Sequence, residues 1–243
     1  MNLVIDIGNT AAKIAVFDET KLVETIHGNN QSLSELPEIT KKYPLRKGII
    51  ASVITLTDAI RNQLDALNVD MLCVGADTPI PIVNSYKTPR TLGMDRLAAV
   101  VAANELMPGK DLLVIDAGTC ITYDFIDAKG IYWGGNISPG VRMRLKALHE
   151  FTDKLPLVMQ EGETPLWGNT TETAIRAGVI HGVSKEIEGY IQQTREKHPS
   201  LSVFLTGGDG VAFCKNERNN IFMDKNLVLR GLNRILNYND TLS

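Results

Sequence analysis

Only three cysteines occur in 243 residues, Cys73, Cys120 and Cys214, and they lie far apart. An odd number without Cys-x-x-Cys or zinc-ligand spacing excludes a disulfide framework and a zinc module, and fits a reducing cytoplasm. Positive charge is not in excess. The net charge of -3 and a pI near 5.8 argue against a general nucleic-acid surface or an anionic-membrane surface. The longest apolar run, Leu97 to Ala103, is too short to cross a bilayer. The first residues carry no basic region followed by a cleavable apolar segment, so no targeting leader is expected. No Gly-x-x-x-x-Gly-Lys-Ser/Thr occurs, and no Gly-x-Gly-x-x-Gly follows the first strand. A P-loop protein and a dinucleotide fold are therefore disfavoured. No low-complexity segment or flexible linker is present, and no Ser-His-Asp arrangement can be argued from spacing.

What is present is an ordinary globular composition, 44% hydrophobic and 22% charged, in a length that suits one or two domains. The informative stretch is the first. Leu3-Val4-Ile5 reads as a buried strand ending in Asp6-Ile7-Gly8-Asn9-Thr10, and Ile14 to Phe17 follows as a second strand. Gly8-Asn9 predicts a tight turn, because both residues tolerate positive φ. A glycine at such a tip lets backbone N–H groups approach an anion. Asp6 at the strand end is a hard oxygen ligand suited to Mg²⁺. An ordinary hairpin would use the same residues to satisfy its turn. A second copy shifts the balance: Asp111 to Ile115 is an apolar strand leading into Asp116-Ala117-Gly118-Thr119, and Ile121 to Ile126 follows. Two Asp-x-Gly hairpins imply an internal duplication, and two anion cradles facing each other would clamp a polyphosphate.

Between them, Leu22 to His27 alternates as a strand, and residues 31–45 suit a short helix and loop. Gly48 to Ile54 is a buried strand. Thr57 offers an N-cap to a helix with Ile60, Leu64 and Leu67 on one face. Met71 to Val74 completes a strand–helix–strand unit, which predicts a parallel crossover. Residues 75–92 form a long loop with Tyr86, ending at Gly93-Met94-Asp95-Arg96, where a helix begins. Met107-Pro108-Gly109 closes that helix and sets the expected boundary between halves 1–108 and 109–243. In the second half, Gly130 to Ile137 reads as a strand and Ser138-Pro139-Gly140 starts a helix at Val141. Thr170 or Thr171 caps a long helix carrying Ile175, Val179, Val183, Ile187 and Ile191, with Ala174 and Ala177 beside the stripe. Leu201 to Leu205 leads into Thr206-Gly207-Gly208-Asp209-Gly210, residues 211–226 are mixed and polar, and Leu227 to Leu236 is an amphipathic helix.

Two further motifs carry chemistry. Asp95 could accept a proton from a substrate hydroxyl, as phosphoryl transfer to an alcohol requires, and Arg96 could hold an anionic group. Alternatively, Asp95 caps the helix. The glycines after Thr206 suggest close backbone approach to a flat ligand such as a nucleoside, or a simple glycine loop. His27, His149, His181 and His198 lack partner spacing and read as structural. Trp133 and Trp167 read as packing residues.

Read in order, Asp-x-Gly-Asn-Thr, Tyr-x-x-Pro-x-x-Leu-Gly-x-Asp-Arg, Asp-x-Gly-Thr, Gly-Gly-x-Ile-x-Pro-Gly, Thr-x-x-Ala-Ile-x-x-Gly and Thr-Gly-Gly resemble type III pantothenate kinases over nearly the whole chain. The stretch from Tyr86 to Arg96 is the specific part. The resemblance implies an α/β fold of two duplicated sheet-and-helix halves, that of acetate and sugar kinases, actin and heat-shock chaperones. It implies ATP binding by Asp6, Ile7, Gly8, Asn9, Thr10, Ala11, Ala12 and Lys13, with Asp6 near Mg²⁺. Thr119, Thr206, Gly207 and Gly208 would complete the nucleotide contacts, and Asp116 would hold a monovalent cation, K⁺ or NH₄⁺. Tyr86, Gly93, Met94, Asp95, Arg96 and Thr171 would bind pantothenate, with Asp95 as catalytic base. A cytoplasmic homodimer without nucleic-acid or membrane partners is implied as well. Ala11-Ala12-Lys13 and Met94 depart from the family's usual residues without removing a catalytic group. A non-catalytic nucleotide-binding regulator and a phosphatase of the same superfold are the alternatives.

Overall fold

The computed structural model describes residues 1–210 and 220–242. Cys214 and the polar stretch 211–219 lie outside the described residues. The chain forms two compact units. One comprises Met1–Gly109, Ile126–Gly134 and Asn226–Ser243, the other Lys110–Phe125 and Gly135–Lys225.

The first unit is built on β1 (Asn2–Ile7), β2 (Ala12–Asp18), β3 (Lys21–Gly28), β4 (Lys47–Ser52) and β5 (Asp70–Cys73), in the sheet order β3-β2-β1-β4-β5. β1 is antiparallel to β2 and parallel to β4. Leu3, Val4, Ile5 and Ile7 are all fully buried, as a central strand covered on both faces requires. Helix α1 (Leu36–Lys42) precedes β4, and α2 (Asp58–Asp65) joins β4 to its parallel neighbour β5. Thr57 caps α2, its hydroxyl accepting from the Ile60 N–H at 3.2 Å. Ile60 and Leu64, one turn apart, face the core.

The predicted loop 75–92 contains more structure than expected. Val83–Asn84 forms a two-residue strand, β6, and Pro89–Thr91 a short 3₁₀ turn. A strand of two residues has no periodicity to read. Helix α3 (Met94–Leu106) follows, with every residue from Arg96 to Ala103 buried. The final helix, α6 (Leu227–Asp240), packs on α3 and β1. Leu229, Leu232 and Ile235 are fully buried on it. The buried amide of Asn233 accepts from Asn2 at 2.9 Å and donates to the Glu19 carbonyl at 2.7 Å, satisfying a polar group that burial would otherwise penalise.

The second sheet runs β11-β10-β7-β8-β9-β6. Its strands are β7 (Leu112–Ala117), β8 (Cys120–Ile126), β9 (Ile131–Pro139), β10 (Ser202–Thr206) and β11 (Ile221–Met223), with β6 at one edge. β7, β10 and β11 are mutually parallel where they pair. Helices α4 (Val141–Glu150) and α5 (Thr171–Lys197) belong to the second unit. The stripe Ile175, Val179, Val183, Ile187 and Ile191 on α5 packs with Val141, Leu145 and the β7 residues Leu113 and Ile115, the four-residue spacing of one helical face. Thr170 is the N-cap, in a capping box with Thr173. No helix among the described residues is long and apolar enough to cross a membrane.

Candidate active site

β1 and β7 are built alike. Each has six residues with aspartate fifth, Asp6 and Asp116, and each leads through a glycine into a hairpin partner, β2 or β8. Each also lies beside a parallel strand, β4 or β10.

The first hairpin departs from the two-residue turn expected. Gly8 to Ala11 form a four-residue loop closed by the Gly8 N–H donating to the Ala11 carbonyl at 3.0 Å. Neither Gly8 nor Asn9 has positive φ. Gly8 matters instead for approach, since a Cβ there would sit 3.2 Å from the Ala11 oxygen. The loop is held by Asn30, whose side-chain amide donates to the carbonyls of Gly8 and Asn9, both at 3.0 Å. Asn30 lies beyond β3, and nothing in its local pattern signals this role. Asn9, Thr10 and Ala11 are exposed, while Ala12 is buried in β2. Lys13 stands directly opposite Asp6 in the register, a cross-strand pair of opposite charge.

The start of α3 gathers a second group. Gly93 is the N-cap, and no side chain caps the helix. Asp95 sits in the first turn, where the helix dipole favours a carboxylate. Its Oδ1 accepts the Arg96 backbone N–H at 2.9 Å. The Asp95 carboxylate fills the space that a Gly93 side chain would need. Arg96 is 7% exposed. Its guanidinium lies 5.9 Å from the centre of the Tyr86 ring, within cation–π range. Tyr86 stacks on Tyr132 with ring centres 6.2 Å apart. The Tyr86 N–H donates to Asn84 Oδ1 at 3.0 Å, so the short β6 strand aims the ring. Gly134, at φ 111°, lets that ring lie close, as a Cβ there would be 3.0 Å from it. Tyr132, Asn84 and Gly134 were not legible as site residues. Gly134 within a strand is the one usable signal, because glycine there marks close approach.

The second hairpin brings together residues far apart in sequence. Asp116 pairs with Thr206 across β7 and β10. Gly118 donates to the Cys120 carbonyl at 2.9 Å, closing a loop of Gly118 and Thr119. Gly207 has φ 89°. A Cβ on Gly207 would fall on the Ala117 carbonyl and lie 2.5 Å from Asp116 Oδ1. Asp209 donates its N–H to that same carbonyl at 2.9 Å. Gly208 has nothing within 4 Å of where a Cβ would stand. Gly140, the residue before α4, donates to the Thr119 carbonyl at 3.1 Å. Asp116, Gly118, Thr119, Thr206, Gly207 and Gly208 thus form one group. Thr171, expected among the pantothenate residues, is the exposed first residue of α5.

Three histidines have structural partners. His149 and His181 meet the Leu155 and Pro165 carbonyls at 2.8 and 3.1 Å, and His198 meets Asp111 at 2.9 Å. The tryptophans correct the packing expectation: Trp133 is 58% and Trp167 84% exposed. No group of three or more His, Cys, Asp or Glu able to hold a metal exists among the described residues.

Two sheet-and-helix units, each opened by an Asp-x-Gly hairpin, give the fold shared by acetate and sugar kinases, actin and heat-shock chaperone ATPases. The chain is similar in fold to the activator of 2-hydroxyisocaproyl-CoA dehydratase from Clostridium difficile with bound ADPNP. That match has a TM-score of 0.57 and 13% identity over 99% of this chain and 96% of the other. An inorganic polyphosphate/ATP-glucomannokinase from Arthrobacter matches with a TM-score of 0.52 and 14% identity, covering 99% and 98%. Sequence narrows the class. Residues 2–193 match the family model of type III pantothenate kinase. The type III pantothenate kinase of Phocaeicola vulgatus is 61% identical over 242 residues, covering 100% of both chains. The chain belongs to the type III pantothenate kinase family.

Proposed function

We propose that the protein transfers the γ-phosphoryl group of ATP to the primary hydroxyl of pantothenate, forming 4'-phosphopantothenate for coenzyme A synthesis. The observation that supports it most is the arrangement at α3. A carboxylate folds over a residue without a side chain, beside a buried arginine braced by a tyrosine ring. Asp95 accepts the hydroxyl proton as the oxygen attacks phosphorus, and Arg96 holds the substrate carboxylate. Tyr86 limits the guanidinium to one orientation, while Gly93 and Met94 border the acceptor. Thr171 contributes a hydroxyl to the same substrate. The loop from Asp6 to Lys13 takes phosphates of ATP on its backbone, and Thr119 and Thr206 to Gly208 take the nucleotide from the second unit. Positioning and charge neutralisation do most of the work in such transfers.

Asp6 suits Mg²⁺, which when bound neutralises phosphate charge. Asp116 suits K⁺ or NH₄⁺. Its Oδ1 and the Ala117 carbonyl oxygen both border the space that a Gly207 side chain would fill, and oxygen donors are what hard cations take. A monovalent charge there offsets repulsion between phosphates and the aspartates. A coupled ADP assay tests the proposal. ADP release should require pantothenate, rise with K⁺ or NH₄⁺ and stay low in Na⁺ alone. Release without pantothenate would instead indicate a phosphatase, and no release at all a regulator. Equal rates in the three chlorides would remove the cation from Asp116.

The homodimer has support on α5. Ala177 is buried in this chain's own core, but Ala174, Gly178 and Gly182 are exposed at four-residue spacing. Phe151, Leu166 and Trp167 are 85%, 74% and 84% exposed in the same unit. We assign this apolar surface to a second copy of the chain, working in the cytoplasm. Light scattering at micromolar concentration should give twice the chain mass, and an active monomer would rule the assignment out.

A further inference from the structure

A polar cluster behind the second hairpin is used by none of the roles above. Arg144, on α4, makes three hydrogen bonds. Its Nε donates to the Pro139 carbonyl at 2.7 Å. Its Nη2 donates to Ser138 Oγ at 2.8 Å and to Glu186 Oε2 at 2.6 Å. Glu186, on α5, also accepts the Tyr123 hydroxyl at 2.8 Å. Tyr123 is 2% exposed, on β8, with its ring against Tyr190 at 4.1 Å between centres. Burial alone would raise the Glu186 carboxyl, but hydrogen bonds from Arg144, Tyr123 and Ser138 outweigh it and hold the group below the ordinary carboxylate range. Burial, followed by the bond to that carboxylate, pushes the Tyr123 hydroxyl up. The cluster therefore keeps a fixed charge pattern at neutral pH.

Its position gives it a use. Two of the three Arg144 bonds end on Ser138 and Pro139, the residues immediately before Gly140. Gly140 donates to the Thr119 carbonyl, and a Cβ on it would fall on the Gly118 carbonyl and lie 2.6 Å from the Thr119 oxygen. With no side chain between them, the two backbones bear directly on each other. A shift of residues 138–140 is passed straight to Gly118 and Thr119. The guanidinium suits this task because its rigid fork reaches a carbonyl and a carboxylate at once, which a lysine ammonium cannot reproduce.

We propose that Arg144, held by Glu186 and Tyr123, is a positioning residue for the second phosphate hairpin, setting Ser138–Gly140 against Gly118–Thr119 so that the nucleotide is captured in the right place. The inference rests on the assignment of Thr119 to ATP. In Arg144→Lys and Arg144→Met, the KM for ATP should rise by about tenfold, the order of a lost charged hydrogen bond, with the KM for pantothenate within about twofold. Glu186→Gln and Tyr123→Phe, which keep most of the packing, should show smaller rises in the same direction. Lys146→Met, on the same helix but paired with the exposed Glu150, should change neither constant. Amide hydrogen exchange at residues 118–120 should speed up in Arg144→Lys, a readout that needs no turnover. If the unaltered protein releases no pantothenate-dependent ADP, the kinase assignment fails while the exchange result still tests the brace. Both KM values moving together, or a lower Tm with unchanged exchange at 118–120, would make the cluster a fold-stabilising network and overturn the proposal.

Discussion

Asp95→Asn is expected to lower pantothenate-dependent ADP release by about 10²–10⁴-fold, the usual span for loss of a general base. ATP affinity and Tm should barely move. The substitution is chosen for what it preserves. Asn keeps the size of the side chain, its place over Gly93, and an oxygen to accept the Arg96 N–H now held at 2.9 Å. It loses the negative charge, and with it the capacity to take up a proton at neutral pH, at a dipole cost below about 1 kcal/mol. The rival role, a helix cap, has less room here than the sequence alone allowed, because the N-cap is Gly93 and Asp95 stands two residues inside, within the first turn. A purely structural Asp95 would predict a stability cost of roughly 1 kcal/mol on removal of the side chain and almost none for Asn. Turnover above about a tenth of the unaltered level in Asp95→Asn would therefore take the base assignment away, whatever the Tm.

The strand and hairpin framework was legible because burial writes itself into runs and spacings. β1 and β7 are apolar runs broken at the same place by aspartate and glycine, and two copies of one design carry more weight than either alone. Thr57 as a cap and the Leu229, Leu232 and Ile235 face of α6 follow from local rules about orphan N–H groups and helical period. The hidden parts depend on pairs distant in sequence. Asn30 clamps Gly8 and Asn9 from beyond β3, and Arg144 finds Glu186 on another helix. Tyr132 became part of the site because β6, two residues long, pairs with the start of β9. No periodicity marks such meetings. The Gly8-Asn9 turn shows a different failure. A glycine between strands suggested positive φ, but the loop has four residues, and what the glycine supplies is room beside the Ala11 carbonyl.

Gly207 and Gly208 make adjacent and opposite predictions. Gly207→Ala should lower stability by roughly 3 kcal/mol, combining left-handed strain with an overpacked contact. For a chain of this length that is a fall in Tm of about 10 °C. Its φ of 89° is one that L side chains rarely adopt, and the added methyl would meet the Ala117 carbonyl and Asp116 Oδ1. The carbonyl cannot step aside freely, since the Asp209 N–H donates to it at 2.9 Å. Saturation with ATP should fail in the same variant, because Asp116 and Thr206 share that crossing of β7 and β10. Gly208→Ala meets nothing within 4 Å and should leave the Tm within about 2 °C, the range of a surface change. If the nucleoside approaches this loop as closely as its glycines suggest, however, the methyl occupies the ligand's place, and the KM for ATP should rise by about tenfold or more with the KM for pantothenate unchanged. Thermal melts and two-substrate kinetics on the pair separate the glycine that the fold requires from the one that the ligand requires. A Gly208→Ala enzyme with an unaltered KM for ATP would place the adenosine elsewhere.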